Sequence, residues 1–405
     1  MRKKDKEKIL LLFGAGATIP WGGKTSIELT NDIIKTEKYT YRLKKSNECI
    51  GFALKRFLSQ YYRISEDSVN FEMILEVIED IWSHYYHKDL DNPRWFRPPT
   101  PCFYNLVAEL DDNIVIDNQQ IFSHQDDSPN ISKCLTFGNL YGEIIDNIFS
   151  QVTSYSTNFN NISNYPIGLK LSEFVNQMRD RYVLRTYTLN YDNMLLKIPE
   201  IKPFFYGQTN KSNGFDYYRI INDVTSDCFY NLHGSIFFSS TNINGTRYEL
   251  AYDELTRTAL AIDLPKNLLN YPILAYPILT GHNKFAKTLI EPMNAFNFSF
   301  RRDCLMAKKI YLIGYSFNDP HVNNCIYSSL KSNPEQKIYI VSKCNIENKS
   351  VIEDELSRTL FQNSKINLNK EGNWLYDIIC NICFYIDGFE QFLSSSDKDF
   401  AFNIS

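Results

Sequence analysis

At 405 residues the chain has room for two or three domains, or for one large domain carrying an insertion. Hydrophobic residues at 43% and charged residues at 22% are the proportions of a globular protein with a real core, and 27 Tyr and 28 Phe supply rings to close its layers. A net charge of -4 argues against a protein that coats nucleic acid by charge alone, and leaves other contacts with nucleic acid open.

The charged N-terminal run, Met1 to Lys8, lacks the apolar stretch and cleavage site of a signal peptide. No run of about 18 apolar residues is present to span a membrane. A cytoplasmic protein with reduced, mostly buried thiols is therefore expected. Cys380 and Cys383 form a lone C-x-x-C with no second pair to complete a zinc site. His84 and His87 are three apart on a predicted helix but lack a carboxylate or cysteine cluster, so no metal is expected.

In chain order, Lys8 to Phe13 is a short continuous apolar run, as expected of a parallel strand covered on both faces. Ser26 to Ile34 then reads as a helix carrying Ile27, Ile33 and Ile34. Residues from about 40 to 180 hold helical stretches (Phe71 to Trp82 and Leu171 to Asp180), a Pro-rich turn from Pro93 to Pro101, and an Asn/Ser-rich stretch near 154 to 164. This region predicts a mainly helical insertion with a mobile polar loop. Strands are predicted at Val183 to Leu189, Lys309 to Ile313 and Lys337 to Val341, with a weaker one at Ile382 to Ile386. A helix is predicted at Asn297 to Ala307, and residues from about 345 to 405 read as a C-terminal extension. Alternating strands and helices imply an α/β fold: a Rossmann-like open parallel sheet flanked by helices, with the helical insertion.

Four strand ends carry candidate chemistry. Gly14-Ala15-Gly16-Ala17-Thr18 joins the first strand to a helix, a layout that leaves backbone N–H groups to face a pyrophosphate. Ile19 breaks the full G-x-G-x-x-G pattern, and a tight turn without ligand uses the same glycines. Asn190 and Asp192 lie just past a strand, where open α/β sheets bind ligands, and suit ribose hydroxyls or a carboxamide. A plain turn would also favour them. His233, between an apolar strand and Gly234, offers a base near neutral pH, or else a satisfied structural histidine. Gly314 and Ser316 end a further strand, at a turn that a dinucleotide's adenosine half could approach.

Together these segments resemble the sirtuin superfamily, specifically the sirtuin-like domains of bacterial anti-phage defence systems. Sirtuins carry G-A-G-x-S, T-Q-N-x-D, L-H-G and G-T-S elements in this order. Here Gly14 to Thr18, Thr188 to Asp192, Leu232-His233-Gly234 and Gly314-Tyr315-Ser316 stand in their places. Leu189 replaces the sirtuin Gln, Trp21 to Ser26 replaces the element after the glycine loop, and no zinc ribbon follows His233. These departures argue against protein deacylation.

The resemblance implies NAD+ glycohydrolysis that depletes the infected cell. Asn190 would orient the nicotinamide ribose, His233 would act as base or position water, and Asp192 would lie near the cationic end. Gly14, Ala15, Gly16 and Thr18 would hold the pyrophosphate, with Gly314 and Ser316 nearer the adenosine. The resemblance also implies a homo-oligomer and a HerA-type ATPase partner, with a phage-derived or nucleotide activator. A subunit that binds NAD or ADP-ribose without turnover is the competing expectation.

Overall fold

The computed structural model describes residues 6–35, 41–43, 46–89, 105–107, 114–116, 129–209, 214–240, 250–252, 262–263, 274–280, 284–361 and 364–395. The Pro-rich turn at 93–101 lies outside them. Among the described residues no helix is long and apolar enough to cross a membrane.

Eight strands form the main sheet. They are β1 (Lys8–Phe13), β2 (Val183–Thr188), β3 (Cys228–Asn231), β4 (Lys309–Ile313), β5 (Lys337–Val341), β6 (Asn369–Glu371), β7 (Trp374–Asp377) and β8 (Ile382–Tyr385). Their spatial order is β6-β7-β8-β5-β4-β1-β2-β3. The run from β3 to β8 is parallel throughout, and β7 and β6 extend it as antiparallel edge strands. The Rossmann-like open sheet read from the sequence is thus present. Its order reverses between β1 and β4, and the crevice outside such a reversal is where α/β sheets bind ligands.

The central strands are apolar on both faces because both faces are covered. Leu10 and Leu12 of β1 join one cluster with Ile310 and Leu312 of β4, beneath α6 (Met293–Met306), α7 (Pro320–Ser332) and α8 (Lys349–Leu360). Ile9, Leu11 and Phe13 point the other way, as alternation along a strand requires, toward α5 (Ile167–Arg181) and α9 (Gly388–Ser394). A buried ion pair fixes α6 under β2: the Arg185 guanidinium reaches the Asp303 carboxylate at 2.5 Å, and the Tyr187 hydroxyl donates to the same oxygen.

The helical region separates into two parts. Helices α1 (Ser26–Lys35), α2 (Ile50–Tyr62), α3 (Phe71–Asp89) and α4 (Pro129–Ser156) share their own apolar core, which also takes in Tyr191 from beyond β2. Helix α5, within the predicted insertion, instead packs Leu171, Phe174 and Val175 on the sheet. The stretch at 154–164, expected as a mobile polar loop, continues α4 to Ser156 and adds a 3-10 turn at Thr157–Asn160. Phe159 is buried against Trp21, and the Asn158 amide donates to the Trp21 carbonyl at 2.8 Å. One aromatic residue and one side-chain amide outweigh the polar composition there.

Candidate functional site

A cleft lies at the β1/β4 reversal. It holds about 980 Å³ of space, its open mouth included, and the helical body closes its far side. The sheet contributes Gly14, Ala15, Thr18, Asn190, His233, Gly314 and Ser316. The helices contribute Phe71 and Glu72 from the start of α3, and Gln151 and Tyr155 from the end of α4. Seven of the nine sequence-predicted site residues therefore meet on one wall. Gly16 and Asp192 are not on it.

The three glycines at the reversal interlock. Gly314 has a left-handed backbone (φ 62°), and a Cβ there would sit 2.3 Å from the Ala17 nitrogen. A Cβ on Gly14 would meet the Gly314 carbonyl oxygen at 2.6 Å, and one on Gly16 the Gly314 Cα at 2.8 Å. Two strand ends can approach this closely only without side chains.

The same packing changes what the turn can offer a phosphate. Gly14 and Gly16 donate their N–H groups to the carbonyls of Ile313 and Gly314, and Ala17 and Thr18 donate back to Gly14 and Ala15. Four N–H groups expected to face a ligand are thus used inside the protein. The glycines open space for a ligand more than they donate to it. Lys24 and Lys284 are the lysines on the cleft wall.

Asn190 is buried at the end of β2, and its amide donates to the Gly14 carbonyl at 3.0 Å, tying two strand ends together. His233 is held through its backbone: its carbonyl accepts from the Leu279 N–H at 2.7 Å. Gly234 (φ 78°) then turns the chain where a Cβ would meet the Pro277 oxygen at 2.0 Å. On the ring, Nε2 lies 2.8 Å from Asp319 Oδ2.

No local motif marks Asp319 as a site residue. It stands before Pro320 as the N-cap of α7, where its Oδ1 accepts from the N–H groups of His321 and Val322. Burial alone would raise its carboxyl, but the hydrogen bond from His233, the charge of that ring when protonated, and the Lys284 ammonium hold it well below the usual carboxylate range. Lys284 lies 3.6 Å from Asp319 and 3.2 Å from Glu72 of α3. Burial works against its ammonium, yet those two carboxylates raise it above its ordinary value. A chain of alternating charge thus runs from His233 into the helical body.

Asp192 lies behind the wall, 1% exposed, accepting from the Tyr155 hydroxyl at 2.8 Å and the Met194 N–H at 3.0 Å. Burial pushes its carboxyl up from 3.8 to about 6, against the pull of these donors. A raised folded-state value means the group's contribution is intact below about pH 3.8 and is lost as pH rises through about 6. Asp192→Asn keeps an acceptor for Met194 and removes the buried charge. It is expected to stabilise the protein near pH 7.5 by up to roughly 3 kcal/mol, at about 1.4 kcal/mol per pH unit, with the gain gone by about pH 4. Denaturant unfolding at the two pH values checks this. A variant less stable than wild type at pH 7.5 would refute it.

Residues 185–368 match the family model described as SIR2-like domain, a little under half of the chain. The match spans Asn190, His233, Gly314, Ser316 and Asp319, and stops short of the Gly14–Thr18 turn. No curated protein matches the chain. SIR2-like domains use NAD+, so the matched segment supports a sirtuin-like, NAD-related function.

Proposed function

We propose that the chain hydrolyses NAD+ at the bond between nicotinamide and ribose. The observation that carries the proposal is the convergence of Asn190 and His233 on the wall that also holds the Gly14 and Gly314 turns, at the point where the strand order reverses. In this reading the ribose C1′–nitrogen bond breaks and nicotinamide leaves neutral with the electron pair. Water then bonds to C1′, and its surplus proton departs, so the products are nicotinamide, ADP-ribose and a proton.

The transition state carries positive charge on the ribose, so the site gains most by fixing the sugar rigidly and placing a base beside it. Asn190 orients the ribose and His233 takes a proton from a ribose hydroxyl or from the attacking water. Lys24 and Lys284 are the cleft-wall lysines that can add positive charge toward the pyrophosphate, each already balanced in part by carboxylates, Lys24 by Asp32 and Lys284 by Asp319 and Glu72. Gly314 and Ser316 flank the adenosine half.

The full chain incubated with NAD+ is expected to release nicotinamide and ADP-ribose in equal amounts. Asn190→Ala and His233→Ala are each expected to lower the rate on the order of 10²–10³-fold. Wild-type rates in both variants would remove the catalytic assignment. Tight NAD+ binding by calorimetry with no product would instead favour a non-catalytic binding subunit. The resemblance of the four motifs supports a role as an anti-phage effector in the cytoplasm, held in check within a homo-oligomer and by a HerA-type ATPase. Mass photometry showing only separate species in a mixture of the two proteins would remove that partner.

A further inference from the structure

We infer that Asp319 is the positioning residue for His233, fixing the ring as the tautomer that carries its proton on Nε2 and leaves Nδ1 as the basic nitrogen. The inference rests on the hydrolytic reading above for its functional meaning, but its structural content stands on geometry alone.

The carboxylate of Asp319 has two oxygens with separate tasks. Oδ1 accepts from two backbone N–H groups, those of His321 at 3.1 Å and Val322 at 3.2 Å, because Asp319 caps α7. Those two donors fix the plane of the carboxylate. Oδ2 is then directed at His233 Nε2, 2.8 Å away, with the Lys284 ammonium 3.6 Å from the same oxygen. An ionised carboxylate only accepts, so the neutral imidazole must present an N–H to it. That N–H is Nε2–H. A neutral imidazole has one proton, and Nδ1 therefore holds the lone pair.

The ring has little freedom to choose otherwise. His233 is 8% exposed, its carbonyl is bonded to Leu279, and the following Gly234 is wedged against Pro277. Asp319 is itself restrained by Lys284, which Glu72 holds from the helical body. The carboxylate thus acts on the ring rather than on substrate. Histidine–carboxylate pairs of this kind set tautomer and orientation without the carboxylate becoming protonated.

The cap provides an unusually clean test. In Asp319→Asn, the side-chain oxygen is claimed by the His321 and Val322 N–H groups, since an amide nitrogen there would face two donors. The amide N–H₂ must then point at Nε2, which has to accept, and the proton moves to Nδ1. Asn caps a helix about as well as Asp, so the fold is retained, with a thermal melt below wild type because Lys284 keeps only Glu72 as its counter-charge.

The full chain labelled with ¹⁵N-histidine is to be studied by long-range ¹H–¹⁵N correlation, with pH raised until the ring carries a single proton. The His233 signal is identified by its loss in His233→Ala. Wild type is expected to show the proton on Nε2, and Asp319→Asn to show it on Nδ1. A neutral wild-type ring protonated at Nδ1, or an unchanged ring in the variant, overturns the inference.

In the activity arm, kcat for nicotinamide release is expected to fall on the order of 10²–10⁴-fold in Asp319→Asn while KM changes by no more than a few fold. If His233→Ala is inactive and Asp319→Asn turns over like wild type, the positioning role fails and the hydrolytic reading stands. If no form of the chain releases nicotinamide, the hydrolytic reading fails, and the tautomer measurement still decides the role of Asp319.

Discussion

Gly314→Ala is expected to destabilise the protein by roughly 3–5 kcal/mol. Two separate costs combine at this residue. Its backbone is left-handed (φ 62°), which an L side chain adopts at a cost of about 1–2 kcal/mol. The added Cβ would also stand 2.3 Å from the Ala17 nitrogen and 2.4 Å from the Gly16 carbonyl carbon. These are backbone atoms, locked by the bond from the Gly16 N–H to the Gly314 carbonyl, so relief requires the two strand ends to part.

Two companion variants separate the costs. Gly372 is also left-handed (φ 58°) but a Cβ there meets nothing within 4 Å, so Gly372→Ala should show the conformational cost alone, about 1 kcal/mol. Gly14 has φ -112°, ordinary for any residue, yet its Cβ would lie 2.6 Å from the Gly314 oxygen. Gly14→Ala should therefore show the contact cost alone, roughly 1–3 kcal/mol. Denaturant melts of the three variants check the ordering Gly372, then Gly14, then Gly314. A Gly314→Ala protein as stable as Gly372→Ala would mean that the strand ends are not held together as described. Because Asn190 donates to the Gly14 carbonyl, parting these ends also shifts the amide that faces the cleft.

This interlock shows what a sequence can and cannot disclose. The run Lys8 to Phe13, the glycines that follow it, and the strands that lead to Asn190 and Gly314 are all local patterns, and the structure has each of these strands. The reason for Gly14 and Gly16 was not local. They read as donors to a phosphate, whereas much of their role is to let a strand 300 residues later approach. Asp319 was legible as a helix start, an Asp before a Pro, but not as the partner of a histidine 86 positions earlier. Glu72 and Lys284 carry no local signal at all, since ordinary surface helices bear the same residues. Strand β6 has no strand signature for a related reason: Asn369, Lys370 and Glu371 are all exposed and show no apolar alternation, while β7 is only four residues long. Packing between distant segments decides each of these cases.

The second large effect is expected where the helical body meets the segment that carries Lys284. Lys287 donates to Glu79 of α3 at 2.8 Å, to the Thr280 carbonyl at 2.7 Å, and to the Tyr141 hydroxyl of α4 at 3.3 Å. Both charged side chains are 2% exposed. Burial pulls the Lys287 ammonium below its ordinary value, and Glu79 opposes that pull. Glu79→Gln leaves the ammonium buried without its counter-charge, and the expected loss is about 3–5 kcal/mol. The sign of the pH dependence follows. With the carboxylate gone, the folded lysine binds its proton less tightly than the unfolded chain does, so the variant gains stability as pH rises toward the ordinary lysine value of 10.5. A double replacement, Glu79→Met with Lys287→Met, removes both charges at similar volume. It should recover most of the loss, because an apolar pair avoids the desolvation cost that the ion pair must offset. Urea unfolding of wild type, Glu79→Met, Lys287→Met and the double at pH 7 and pH 9 closes the cycle. Additive losses in the double would mean that the two charges do not act as a pair. The pair lies three residues from Lys284, so its rupture should loosen Lys284 from Glu72 and Asp319, and with it the carboxylate that orients His233.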